Sequence, residues 1–386
     1  MAIQLDLARH NEEVTRVWEA FHRREPIRVP VILGVSTRYT LFNTDANPEG
    51  YTFQDYFRDA DIMFRHQLRH QWWIRHHLVS DAEMGPAKEW VVNVDLQNSY
   101  EALWFGCPLE FRDDQCPDTR PILTDDSKRA IFDAGLPDPF PSDGWMARAW
   151  EYYEQFKERA EQGEEFEGAP VRAGGVPGAG TDGPLTAACN LRGATETMLD
   201  MRLDTDYYLE LMDFIVTATI QRIRAYRERL GQPVESEAWG FADDSVQLLS
   251  VQDYKAYVLP FHKRLIAEFG AKGPNSIHLC GDVQRLLPVI QEELNVQSFD
   301  TGFPVDFGLL RKALGPDVQI NGGPHIELLR TGPPEAIREE VRRILQSGVM
   351  EGGRFVLREA NNLAPGTPPG NVAAMYQACQ EFGRCP

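Results

Sequence analysis

Ser276–Phe303, which reads SIHLCGDVQRLLPVIQEELNVQSFDTGF, is the stretch that decides the fold. A short strand-like run (Ser276–Cys280) gives way to a helical pattern (Val283–Leu294) and then to a second apolar run (Val296–Phe303). Two strands joined through a helix lie parallel, because an antiparallel pair needs only a tight turn. The same unit recurs on both sides. Downstream, Val318–Asn321 and Phe355–Arg358 read as strands, with helices at Phe307–Leu314, Pro334–Leu345 and Gly370–Phe382. Upstream, the strands are Pro170–Val176 and Val234–Trp239, with helices at Asp206–Leu230 and Val251–Phe269, the last announced by the capping residue Ser250. Arg28–Val35 and Trp90–Leu96, separated by an aromatic-rich helix near Phe53–His77, bring the strands to eight.

Eight strand-helix units predict a single (β/α)8 TIM-type α/β barrel over residues 1–386. The additions to it are an N-terminal helix within 1–27 and an insertion with a linking helix over 97–169, in which Leu103–Phe111 reads as a small hairpin. The chain has 386 residues, with 58 acidic against 39 basic, a net charge of −19 that opposes binding to nucleic acid. No apolar run is long enough for a membrane span, and the six scattered cysteines suggest no disulfide framework, so the expectation is a cytoplasmic protein with reduced thiols. Oligomeric state is not legible.

In a barrel of this kind the chemistry sits where the strands end at their carboxyl sides. There the signal is His278-Leu-Cys280. Residues two apart in a strand share a face, so His278 and Cys280 could both bind one Zn²⁺, which would hold an incoming thiol as thiolate. The competing reading is a small core cysteine beside a hydrogen-bonded histidine. Asp300 and Glu359 end neighbouring strands and could complete such a site or support it from behind. Glu237 and the pair Asp243-Asp244 flank the fourth strand, where adjacent like charges can raise one pKa and make a general acid, or one of them can cap the next turn. Gly175 in the glycine-rich loop, Gly323 and His325 after the seventh strand and Asn361 after the eighth are candidate contacts for substrate or cofactor. The histidines His66, His70, His76 and His77 lie in a helical run and receive no catalytic role. No G-x-S-x-G, H-E-x-x-H or Walker sequence is present.

Taken in order, Gly183-Pro184-Leu185-Thr186, Phe241-Ala-Asp-Asp244, His278-Leu-Cys-Gly-Asp282, Gly322-Gly323-Pro324 with Glu327-Leu-Leu, and Ala364-Pro-Gly-Thr-Pro368 with Asn371 resemble the uroporphyrinogen decarboxylase superfamily. That superfamily includes the corrinoid-dependent methyltransferases. The resemblance implies an α/β barrel and one of two chemistries. The decarboxylases carry an arginine-rich M-R-Q-A-G-R stretch after the first strand that holds the carboxylates of a tetrapyrrole. Here that place reads Leu33-Gly-Val-Ser-Thr-Arg38-Tyr39, with one arginine. The methyltransferase branch implies zinc on His-x-Cys and a later cysteine, a small-molecule methyl donor or acceptor, and a corrinoid carried by a partner protein. His278 and Cys280 match that pattern, while Asn361-Asn362 stand where the later cysteine belongs, so the zinc site is expected to be weak or completed by Asp300 or Glu359. The expectation is therefore methyl transfer between a small substrate or thiol and a corrinoid protein. A decarboxylase and a non-catalytic ligand-binding barrel are the alternatives.

Overall fold

The computed structural model describes residues 5–113 and 115–385. Its main sheet is five strands, all parallel, in the spatial order β7-β6-β5-β4-β3, where β3 is Gly240–Ala242, β4 Asn275–Leu279, β5 Val296–Thr301, β6 Gln319–Gly322 and β7 Phe355–Leu357. A smaller sheet pairs β1 (Trp90–Val92) in parallel with β2 (Ala169–Ala173), whose other edge takes the short antiparallel strand Glu165–Phe166. Residues 30–32 lie along β7 through the bonds Ile32 N–H to Leu357 O (3.0 Å) and Leu357 N–H to Pro30 O (2.9 Å). Among the described residues the ladder does not close into a continuous ring. Only the long Ala242 N–H to Thr181 O contact (3.4 Å) joins the loop after β2 to β3.

The expected strand at Arg28–Val35 is reduced to isolated pairings at Arg28 and Val31, because Pro30 offers no N–H and the ladder cannot run through it. The fourth strand is not Val234–Trp239 but Gly240–Ala242. Gly240 pairs with Ser276 of β4, and a Cβ there would meet Ser276 Oγ at 2.4 Å and oblige that hydroxyl to turn away. The helix expected over Val251–Phe269 is two, Val251–Tyr257 and Leu259–Phe269, broken where Pro260 removes a donor and seeds the next helix. Ser250 does cap the first, its hydroxyl accepting from Asp253 N–H. The aromatic-rich helix also divides, at Asp59, whose carboxylate caps Ala60–His77. In place of a hairpin at Leu103–Phe111, Tyr100–Trp104 is helical and Leu109–Glu110 pairs with Asp118–Thr119.

The first helix, Leu7–His22, is tied to a network around the buried Asp81, its Glu13 accepting from Arg28 at 3.1 Å and its Trp18 indole N–H donating to the Asp81 carbonyl at 2.7 Å. Arg28 forks onto Asp81 with two bonds of 2.6 Å, and Asp81 also accepts from Val31 N–H (2.7 Å) and from the Tyr376 hydroxyl (3.1 Å). Four distant parts of the chain meet there.

Of the four histidines in Ala60–His77, His76 and His77 are exposed and stack on Trp72 and Trp73. His66 and His70 are buried instead, both on the Thr40 hydroxyl at 3.0 and 2.9 Å. Burial pushes His66 down to about 3 and His70 down to about 4. Both depressed values lie below the unfolded value near 6.5, so their contribution to stability is complete above pH 6.5 and is lost as the pH falls. The urea midpoint should therefore drop between pH 6.5 and 4, each histidine adding a slope of up to about 1.4 kcal/mol per pH unit. His66→Asn should flatten that dependence, and equal slopes in the two proteins would refute the assignment.

Candidate active site

The carboxyl ends of β3 to β7 surround a cavity of about 520 Å³ lined by Asp182, Asp244, His278, Asp300 and Arg358 among others. Strand register sets its centre. His278 of β4 lies directly beside Asp300 of β5, and in parallel strands such neighbours point to the same face. Asp300 Oδ2 accordingly meets His278 Nδ1 at 2.7 Å. His278 Nε2 meets Cys280 Sγ at 3.1 Å, so the two residues share a face as their spacing requires. Asp244 reaches in from the turn after β3, and its Oδ1 accepts from Cys280 N–H at 2.7 Å. One donor atom from each of Asp244, His278 and Cys280 can be chosen so that all lie within 4.8 Å of one another.

Nitrogen, sulfur and carboxylate oxygen within that distance are the donor types a zinc ion takes, and a carboxylate behind the histidine is the usual support for a ligating imidazole. The residues present fit the metal. The acid placed beside His278 and Cys280 as a possible third donor is Asp244, whereas Asp300 sits behind His278 and Glu359 is buried on Gly34 N–H and Arg358, both at 2.8 Å. Burial alone would lower the His278 pKa, but Asp300 and Cys280 outweigh it and raise it to about 10, so a metal must displace a proton to bind. Burial raises Glu359 to about 7 despite Arg358. Asp182 is raised to about 8 by burial and by Glu101, with Arg222 opposing and Asp244 adding to the rise.

Several expected site residues lie elsewhere. Glu237 is exposed and precedes β3, at the end of the strand away from the cavity. Asp243 is fully buried and spent on Leu185 N–H, Thr186 N–H, the Thr186 hydroxyl and His262 Nε2, anchoring the start of the helix Pro184–Arg192. Adjacent residues face apart, so only one member of the Asp243-Asp244 pair can enter the cavity. Gly175 accepts from Val94 N–H and extends the β1–β2 pairing. Gly323 is pressed against the Arg358 carbonyl. His325 is exposed, its Nδ1 accepting from Glu327 N–H at 3.0 Å to cap Ile326–Thr331, with its ring against Phe303. Asn361 does line the cavity, at a φ of 148°, with its side-chain oxygen taken by Asn362 N–H. The sequence reading missed Arg358, which holds Asp300 (2.5 Å) and Glu359 together, and gave no role to Asp182, although the glycine-rich loop that it ends lies where a strand closes on the mouth.

Acids, an imidazole and a thiol gathered where parallel strands end make this the site of an α/β enzyme family. The family described as Uroporphyrinogen decarboxylase (URO-D) matches residues 99–382, and the chain belongs to it. A methylated-thiol--coenzyme M methyltransferase of Methanosarcina mazei is 33% identical over 139 residues, covering 36% of this chain and 35% of that protein. A uroporphyrinogen decarboxylase of Trichlorobacter lovleyi is 27% identical over 221 residues, covering 55% of this chain and 62% of that protein. The matched stretches thus span about a third and three-fifths of these relatives. A solved methyltransferase from Methanosarcina mazei shares the fold over 96% of this chain and 98% of its own, at a TM-score of 0.65 and 18% identity. No helix among the described residues is long and apolar enough to cross a membrane.

Proposed function

We propose that this protein is a zinc-dependent methyltransferase that moves a methyl group between a small substrate or thiol and a corrinoid carried by a partner protein, on a barrel whose eight strand segments surround the cavity. The observation that carries the reading is the donor set Asp244, His278 and Cys280, backed by Asp300, on one face of the cavity. When bound, Zn²⁺ would supply a soft Lewis acid that keeps a substrate sulfur as thiolate at neutral pH. The chain's own residues do the rest. Asp300 fixes the imidazole through Nδ1 and leaves Nε2 beside Cys280 Sγ, while Asp244 holds the Cys280 backbone in place. Arg358 clamps Asp300 and Glu359, so the wall behind His278 is rigid and its charges are matched.

The decarboxylase reading is disfavoured by charge. Among the described residues the cavity wall carries only two arginines, Arg38 and Arg358, and Asp300 and Glu359 already occupy Arg358, so little cationic fork is left to seat a polycarboxylate. An anaerobic assay decides between the two. With zinc restored, the protein should demethylate methylcobalamin in the presence of coenzyme M at least about a hundredfold above background, and should leave uroporphyrinogen unchanged. Metal-independent formation of coproporphyrinogen would overturn the proposal.

A further inference from the structure

Four asparagines line the cavity from three sides: Asn98 in the turn Gln97–Ser99 after β1, Asn190 on the helix Pro184–Arg192, and Asn361 and Asn362 after β7. Among the described residues the side chains of Asn98, Asn190 and Asn362 make no hydrogen bond, and Asn361 uses only its Oδ1, which accepts from Asn362 N–H at 2.8 Å. Asn361 is the most firmly held. Its backbone lies at a φ of 148°, a region that favours glycine, and it is pinned there by its own N–H on Glu359 O (2.8 Å) and by Arg358 Nη2 donating to its carbonyl (2.7 Å). Backbone strain of this kind persists where the surroundings over-determine it, and it gathers at ligand sites. Here it fixes an amide whose Nδ2 is left for the cavity.

The charged groups of the same wall are largely spent or balanced. Asp300 and Glu359 share Arg358, Asp244 accepts from Cys280 N–H, and burial beside Glu101 keeps Asp182 mostly uncharged at neutral pH, with its pKa at about 8. Arg38 and Asp118, which make no ion pair among the described residues, are opposite in sign. No Phe, Tyr, Trp, Leu, Ile or Val lines the cavity among the described residues, so it offers neither an apolar seat nor an aromatic cage for a quaternary ammonium. What remains is amide. An amide cannot neutralise a charge, but it both donates and accepts, as a hydroxyl does. We infer that the substrate is a neutral, hydroxyl-rich methylated molecule, such as a methylated polyol or sugar, whose hydroxyls are taken by Asn361 together with Asn98, Asn190 and Asn362. The methyl group in this statement rests on the methyltransferase reading; the neutral, hydroxylated part rests on the amides.

The test is equilibrium binding by calorimetry of two S-methyl probes of similar size, methyl β-thioglucoside and cyclohexyl methyl sulfide, which differ in their hydroxyls. The wild type should bind the thioglucoside at least about 10-fold more tightly, since several neutral hydrogen bonds are each worth roughly 2- to 10-fold. Asn361→Gly should weaken that binding by about 3- to 10-fold while the urea unfolding midpoint stays level or rises, because glycine accepts the φ that strains asparagine. Asn98→Ala, in a separate segment, should cost a similar factor. Equal binding of the two probes, no binding of the thioglucoside, or unchanged binding in both variants would overturn the assignment, and a lowered midpoint in Asn361→Gly would remove that residue from it. Binding needs no turnover. A protein that prefers the thioglucoside but transfers no methyl overturns the methyltransferase reading and leaves this one standing, whereas methyl transfer without binding of the thioglucoside overturns this one alone.

Discussion

Asp81→Ala should destabilise the protein by about 3–5 kcal/mol, the cost of stranding a buried partner charge. The Asp81 side chain is fully buried and receives two bonds from Arg28, one from the Val31 backbone and one from Tyr376. Arg28 is itself almost fully buried, and its pKa is raised because Asp81 outweighs the effect of burial. With the carboxylate gone, Glu13, at 3.1 Å and partly exposed, is the one carboxylate left to the guanidinium among the described residues, beside the neutral Val29 carbonyl (3.1 Å) and Tyr376 hydroxyl (3.5 Å). Three attachments fail together: the entry segment along β7, the loop after Ala60–His77 and the C-terminal helix Pro369–Phe382. Urea unfolding followed by circular dichroism measures the loss. Removing both charges in Arg28→Met/Asp81→Leu should cost less than Asp81→Ala alone, because no orphaned charge remains. A loss under about 1 kcal/mol for Asp81→Ala would show that the network is dispensable.

How far the sequence could be read depended on how local the determining physics is. Helices with apolar periodicity and a cap, such as Phe307–Leu314 and Pro369–Phe382, appear close to where the pattern puts them. β5 and β6 are buried stretches bounded by turn residues and were equally legible. β3 was misplaced because its position is set by the pairing of Gly240 with Ser276, which no local pattern encodes. The pair His278 and Cys280 was readable because strand alternation fixes a shared face, and Asp300 was rightly brought to the mouth. Its role was not readable, since that follows from the β4–β5 register placing it beside His278. The choice between Asp243 and Asp244 turns on which of two neighbours faces inward, which only the tertiary contacts of the helix Pro184–Arg192 decide. Arg358 was overlooked because one residue of a strand says nothing about the two acids it will bridge.

That division between neighbours leads to a graded result. Cys280→Ala and Asp244→Asn should each weaken zinc binding by more than about a hundredfold, since loss of a supporting residue alone costs 10- to 100-fold and these would remove donors. Asp300→Asn should fall within that lower range, because an amide can still meet His278 Nδ1 but without the charge that raises the imidazole's basicity. Asp243→Asn should behave differently. It should leave metal affinity nearly unchanged and lower stability instead, because its carboxylate serves Leu185, Thr186 and His262 and not the cavity. Competition with a chromophoric chelator gives the affinities, and urea unfolding of the metal-free proteins gives the stabilities. Two adjacent aspartates, identical in chemistry, should thus separate into one that changes metal binding and one that changes folding. Zinc bound as tightly by Asp244→Asn as by the parent would remove Asp244 from the donor set, and a parent that binds no zinc would remove the metal from the mechanism.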